Sequence, residues 1–338
     1  MQKDKINHLR LAPFYFLISL LVFNFIIWQR VLASENNEIL KVAFLDIGQG
    51  DAIYIEAPNG NQMIVDGGPD KKILLELSKV MPWGDNTIDA ILVTNPDKDH
   101  MAGFIDVMDK YEVGKVFEPG TQKDTIIYQN FEKAVKKESA EKNIARRGMR
   151  IVLDSQKRVY FEVLFPDRDV STWAANDGSI VGKLVYGEKS FLLMGDAPEK
   201  IEEYLVALED LGYERSKSFS KDQNSPRPPG LKKPQPRGSS EFWPLSDDFN
   251  LSSFILRSDV LKLGHHGSKT SSSETLLQAV DAEYAIISAG KNNKYGHPNK
   301  EVLDRLNKYK IPILGTYENG TIIFETDGKE LQVNQAGK

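Results

Sequence analysis

Residues 88–103 read IDAILVTNPDKDHMAG, an apolar run ending in a turn that carries Asn95, Asp97, Asp99 and His100 and then enters a helical pattern. Turns at strand ends are where a fold builds its sites, because the strand fixes the backbone and the turn frees the side chains. Asn95 and Asp97, two apart, project alike from extended backbone, while adjacent Asp99 and His100 approach from another side. Taken alone, Asp-x-Asp-His fits a helix cap with a surface histidine equally well. The rest of the chain repeats the arrangement. VLKLGHHGS at residues 260–268 is a strand running into paired histidines between glycines, and FLLMGD at 191–196 delivers Asp196 to a strand tip. Gly296-His297-Pro298 holds another imidazole in a proline-stiffened loop.

Around these motifs lies a chain of 338 residues, 41% hydrophobic and 27% charged, with 43 basic and 48 acidic side chains and a net charge of -5. Such a composition builds a core and excludes global disorder, and the near balance of charge gives no general pull toward polyanions. The absence of cysteine excludes disulfides, thiolate zinc sites and cysteine nucleophiles. Metal chemistry therefore falls to His, Asp, Glu and Asn, and only five histidines are present. Short apolar runs alternate with amphipathic stretches from residue 38 onward. The pattern predicts strands over 40–45, 52–57, 62–65, 88–94, 159–165, 180–186, 190–194, 260–263, 284–288 and 321–326. Helices are expected over 73–80, 100–110, 128–142, 198–211, 273–280 and 300–308. The class is α/β, with paired sheets and helices outside.

Two segments stand apart. Residues 1–34 combine Lys3, Lys5 and Arg10 with an apolar run from Leu11 to Trp28, which reads as a membrane anchor or, with Val31-Leu32-Ala33-Ser34 as a cleavage site, a signal peptide. Either places the globular part, residues 38–330, outside the cytoplasm, in the cell membrane's outer space or secreted. Residues 215–247 hold six prolines among polar and basic side chains and read as an extended insertion. Region 133–158 is also basic. Both are either solvated surface or contacts for a phosphate backbone.

In order along the chain, LDIGQGDA (45–52), VDGG (65–68), Asp97-x-Asp99-His100, Gly195-Asp196, LKLGHHGS (261–268) and Gly296-His297-Pro298 resemble the metallo-β-lactamase-fold domain of the bacterial competence DNA-internalisation protein family. The resemblance spans about residues 38–328 and implies an αββα sandwich, two packed mixed sheets with helices outside. It matches Asp97, Asp99, His100, Asp196 and His265 to metal ligands, with Asp196 as the bridging carboxylate. Asp99, His266 and His297 become the candidate catalytic groups. Asp66 falls where a carboxylate orients the metal turn from behind, and Asp46, Gln49 and Asp51 shape the Gly-rich turn. Asn176, Ser179, Ser268 and Lys269 are candidate substrate contacts.

One departure is plain: histidine is common in the family where this chain has Asn95, which retains only an amide oxygen as a ligand. The resemblance implies one or two divalent cations, Mn2+ or Zn2+, with Mg2+ suited to the oxygen-rich side. It implies hydrolysis, with DNA phosphodiesters the expected substrate and a separate uptake channel a possible partner. Another extracellular ester or amide, and a non-catalytic module binding nucleic acid or protein, are the alternative readings.

Overall fold

The computed structural model describes residues 13–25, 38–221 and 256–335. Among the described residues, fifteen strands form two sheets: an 8-stranded sheet ordered β15-β14-β1-β2-β3-β4-β5-β6 and a 7-stranded sheet ordered β13-β12-β11-β10-β9-β8-β7. In the first, β1 (Leu40–Phe44), β2 (Ala52–Glu56) and β3 (Gln62–Gly67) form an antiparallel meander, and β4 (Thr87–Leu92), β5 (Glu112–Glu118) and β6 (Glu141–Ile144) continue it in parallel. Strands β14 (Ile322–Thr326) and β15 (Leu331–Gln335) close its other side. In the second, β7 (Arg150–Asp154), β8 (Val159–Phe165), β9 (Val181–Tyr186) and β10 (Lys189–Leu193) are antiparallel. Parallel strands β11 (Val260–Lys262), β12 (Tyr284–Ile287) and β13 (Ile313–Gly315) follow.

Alternation along the strands builds the layers. Val42, Phe44, Ile53, Ile55, Phe161, Val163, Phe191 and Phe324 face inward and fill the space between the sheets. Their neighbours Ala43, Leu45, Tyr54 and Ile64 face outward against helices α2 (Lys72–Val80), α4 (Gly103–Lys110) and α5 (Ile126–Glu138). On the far side, Leu192, Leu261 and Ile287 meet α6 (Glu199–Lys221), α7 (Glu274–Val280) and α8 (Lys300–Lys308). Three apolar interfaces between four layers make an αββα sandwich.

Several elements differ from the periodicity. Strands β5, β6, β7, β13 and β15 were not expected; in two of them polar residues break the apolar pattern, β6 being Glu-Lys-Asn-Ile on an edge and β5 carrying Glu112 and Lys115. The helix expected over 128–142 stops at Glu138, where Ser139 adopts a left-handed φ of 61°, and the chain turns into β6. The helix expected over 100–110 divides at Ala102 into α3 (Lys98–Met101) and α4. The sheet reaches Gln335, five residues past the expected domain limit of 330.

Residues 13–25 form a helix, α1, with exposed side chains; the rest of segment 1–34 lies outside the described residues. Among those residues, no helix is long and apolar enough to cross a membrane. Of the proline-rich segment 215–247, residues 215–221 continue helix α6, and 222–247 lie outside the described residues.

The split between α3 and α4 has a steric cause that also fixes the site. Gly103 donates to Gly68 O at 3.0 Å, and a Cβ on Gly103 would lie 2.0 Å from Gly67 O. Only glycine lets the 97–103 turn seat on the end of β3. Gly103→Ala should therefore lower stability by about 2–3 kcal/mol, read as a urea midpoint shift, whereas exposed Leu75→Ala should change it by less than about 0.5 kcal/mol.

Candidate metal centre

The side chains singled out in the sequence come from the C-terminal ends of strands in both sheets. Asp66 ends β3, and Asp97, Asp99 and His100 follow β4. Asp196 follows β10, and His265 and His266 follow β11. Asp51 stands just before β2, in a turn held onto the α3 region: Asp51 N donates to Asp99 O at 3.1 Å. A Cβ on Gly50 would lie 2.3 Å from that same oxygen, so the Gly-rich turn needs a glycine at this approach.

Four of these residues converge. His100 Nε2 is 3.2 Å from Asp196 Oδ2, and His266 Nε2 is 3.3 Å from Asp99 Oδ2 and 3.7 Å from Asp196 Oδ1. The two imidazoles stack with centroids 5.3 Å apart. Despite these approaches, His100 Nε2, His266 Nε2 and Asp196 Oδ1 are buried without a hydrogen-bond partner. Ligand atoms of Asp99, His100 and His266 lie within 4.8 Å of one another, as do those of Asp51, His100 and Asp196. Buried polar atoms aimed at a common point without partners are what a cation would satisfy, and the donors suit a borderline divalent ion.

The opposite ring nitrogens are held from behind. His100 Nδ1 is 2.8 Å from Asp66 Oδ2, while Asp66 also accepts from Thr94 N and Thr94 Oγ1 at 2.7 and 2.6 Å. His266 Nδ1 is 3.1 Å from both Asp51 Oδ1 and Ser288 O. Asp51 Oδ2 accepts from Lys262 Nζ at 2.7 Å, a fully buried ion pair. Each carboxylate fixes an imidazole so that its Nε2 faces the cluster. Asp66, His265 and His266 all take left-handed φ values, 60°, 50° and 55°, conformations that cost energy outside glycine and persist only under tight surroundings.

The remaining expected residues fall in three places. His265 stands at the rim, its Nε2 4.0 Å from Asp196 Oδ2 and its Nδ1 near Thr270. It was expected as a metal ligand and His266 as a catalytic group. The geometry gives the position among Asp99, His100 and Asp196 to His266, because the left-handed turn swings that ring inward. His297 packs edge-to-face on His265 at 5.5 Å. Asn95 is buried with its amide engaged: Oδ1 accepts from Asp97 N, and Nδ2 donates to Asn176 Oδ1 and Ser179 Oγ at 2.8 and 3.3 Å. Asp97 is ion-paired with Lys123. Neither Asn95 nor Asp97 belongs to the converging set.

The expected substrate contacts Ser179 and Ser268 are buried, Ser268 bonded to Thr270; Lys269 is exposed. Asp46 accepts from Gly48 N and Lys72, and Gln49 accepts from Gly290 N, so both shape loops. Much of the basic region 133–158 is paired internally: Lys137 with Asp109, Lys142 with Glu118 and Glu132, and Arg150 with Glu162. That favours a solvated surface there over phosphate contacts. Lys123, Lys262 and Thr94 were not singled out in the sequence; Lys262 carried a signal, a charged residue inside an apolar strand.

Residues 45–291 match the metallo-beta-lactamase superfamily. The chain belongs to that superfamily. It is 27% identical over 312 residues to ComE operon protein 3 of Bacillus subtilis (strain 168), covering 86% of this chain and 33% of that protein. It is 26% identical over 341 residues to Recombination protein 2 of Haemophilus influenzae, covering 99% of this chain and 34% of the relative. A shorter stretch of 69 residues is 48% identical to Competence protein ComA of Neisseria gonorrhoeae, covering 20% of this chain and 10% of that protein. The chain thus spans about a third of the length of its first two curated relatives. A solved CmlA beta-hydroxylase is similar with a TM-score of 0.42 and 9% identity over 82% of this chain and 52% of its own. This metallo-beta-lactamase domain is therefore a relative of competence proteins.

Charge at the centre in metal-stripped protein follows from crowding. Burial would depress His266, but Asp196 and Asp51 outweigh it and hold the imidazole up to about 9. His100 is likewise raised well above its ordinary value by Asp196 and Asp66 against the opposing effect of burial. A folded-state value above the unfolded one stabilises fully below the unfolded value and is lost as pH rises through the folded value. Melting of the metal-stripped protein should accordingly fall as pH rises from 7 through about 9. Cation binding needs neutral imidazoles, so Mn2+ titration at pH 7.5 in buffers of different ionisation heat should show about one or two protons released per ion.

Proposed function

We propose that the domain is a metal-dependent phosphodiesterase acting on DNA, placed outside the cytoplasm by its amino-terminal segment. The observation that carries the catalytic part is the convergence of unpartnered His100 Nε2, His266 Nε2 and Asp196 Oδ1 with Asp99 where both sheets deliver strand ends. Asp99, His100, Asp196 and His266 would hold the cation, and Asp51 and Asp66 would fix the two imidazoles. A bound divalent cation supplies Lewis acidity and makes water nucleophilic at neutral pH.

The chain's own groups do the rest. Burial around the cluster keeps the local dielectric low, which strengthens the attraction between its carboxylates and a bound cation. In hydrolysis, water oxygen bonds to phosphorus and gives up a proton while a P–O ester bond breaks and the departing oxygen takes up a proton. His265 and His297, edge-to-face at the rim, are the imidazoles placed to carry that proton from one oxygen to the other. His297 is depressed by burial and by the neighbouring imidazoles, so it starts neutral at pH 7, ready to accept the proton that water gives up.

DNA is favoured as substrate by the relatives, named for competence and recombination. Basic residues ahead of the apolar run 11–28 favour an outer location. Metal choice follows the donors: two imidazoles with two carboxylates suit Mn2+ or Zn2+ better than Mg2+.

Purified protein with Mn2+ should shorten single- or double-stranded DNA, and His100→Ala or Asp196→Ala should reduce cleavage to background. Asp66→Asn should lower Mn2+ affinity about 10–100-fold, the effect of loosening a ligand from behind. Intact DNA with every divalent metal tried, alongside hydrolysis of another ester or amide, would assign the domain to that substrate instead.

A further inference from the structure

We propose that the Lys123 ammonium occupies the place of a second cation, so that this chain holds one divalent ion and supplies the other positive charge from a side chain. The inference rests on the reading that Asp99, His100, Asp196 and His266 hold a cation. It answers what the 94–100 turn does with Asn95 and Asp97, which sequence spacing offered to a first ion.

Both residues are already engaged. Asn95 is fully buried, and its amide is satisfied by Asp97 N on one side and by Asn176 and Ser179 on the other. Turning Oδ1 toward an ion would break the bond that shapes the turn and leave Asp97 N without its acceptor. Asp97, half-buried, is ion-paired with Lys123, itself one-third exposed. A carboxylate neutralised by an ammonium is a poor ligand for a dication, which would be repelled by the same charge.

Lys123 is held there by its loop. The β5–α5 connection is fastened by Arg146 Nη1 donating to Pro119 O at 2.7 Å and by Gln122 N donating to Ser171 O at 3.4 Å. At its far end Thr125 caps α5 by accepting from Tyr128 N at 3.2 Å. Thr121 is buried between these points. Fastened on both flanks, the loop presents Lys123 beside the metal turn without ordering a long free side chain at the moment of reaction.

Asp97 is matched by the Lys123 ammonium, which leaves Asp99 and Asp196 to face one dication. The Asp51 carboxylate is separately matched by Lys262. An ammonium at the metal turn can steady a developing anionic oxygen as a second ion does, without a second set of ligands.

Elemental analysis of the full chain after metal stripping and dialysis against Mn2+ tests this. Wild type should hold one ion per chain, and Asn95→His should still hold one because the ammonium remains. Lys123→Glu, at a one-third-exposed loop position, replaces the cation by a carboxylate beside Asp97 and should raise the count to two. Two ions in wild type, or one in Lys123→Glu, would overturn the placement of Lys123 while leaving the cation cluster standing. A count of zero in wild type would overturn the cluster and the inference together. In DNA cleavage, Lys123→Met should lose about 100-fold, and Lys123→Arg should retain most activity; full activity in Lys123→Met would overturn the role.

Discussion

A buried chain of Lys262 ammonium, Asp51 carboxylate and His266 imidazole joins the two sheets, and the site depends on it. Lys262 belongs to β11 of one sheet, Asp51 to the turn before β2 of the other, and their contact of 2.7 Å is sealed from water. Two charges in that position are unfavourable apart and attractive together, so neither sheet can slide without exposing one of them. Asp51 is driven down to about 2 by Lys262 and the nearby imidazoles, against the opposing effect of burial. The remaining oxygen of the carboxylate then sets the His266 ring. Position of the sheets and aim of a ligand are thus one interaction.

The second carboxylate–imidazole pair works within a single sheet. Asp66 at the tip of β3 accepts from Thr94 backbone and hydroxyl while facing His100, tying the end of β4 to its parallel neighbour. Together the two pairs explain why strained backbone gathers here. Left-handed φ at Asp66, His265 and His266 is the cost of bringing side chains from strand ends to one point, offset by the packing and hydrogen bonds around them.

The centre is asymmetric. On one side imidazoles and carboxylates converge with unpartnered atoms; on the other, Asn95 is consumed by its neighbours and Asp97 faces a lysine. A histidine-to-asparagine difference, which by sequence alone suggests a weakened metal position, is in the folded chain accompanied by an ammonium arriving from the β5–α5 loop. The chain covers about a third of the length of two competence and recombination relatives, and it belongs to the metallo-beta-lactamase superfamily.

The αββα class and most central strands were legible in the sequence, because buried strands such as β8 and β11 are written as unbroken apolar runs between turn residues. Asp99, His100, Asp196 and the paired histidines were legible too, since each ends such a run. Edge and half-exposed strands, β6 above all, were not: their side chains meet water, and nothing in Glu-Lys-Asn-Ile distinguishes a strand from the helix before it. Only the tertiary structure decided which of His265 and His266 turns inward, because adjacent residues share every sequence signal and differ only in where a left-handed turn sends the ring. Only it paired Asp97 with Lys123 and Asp51 with Lys262, contacts between residues 26 and 211 positions apart in the chain, which local pattern cannot encode.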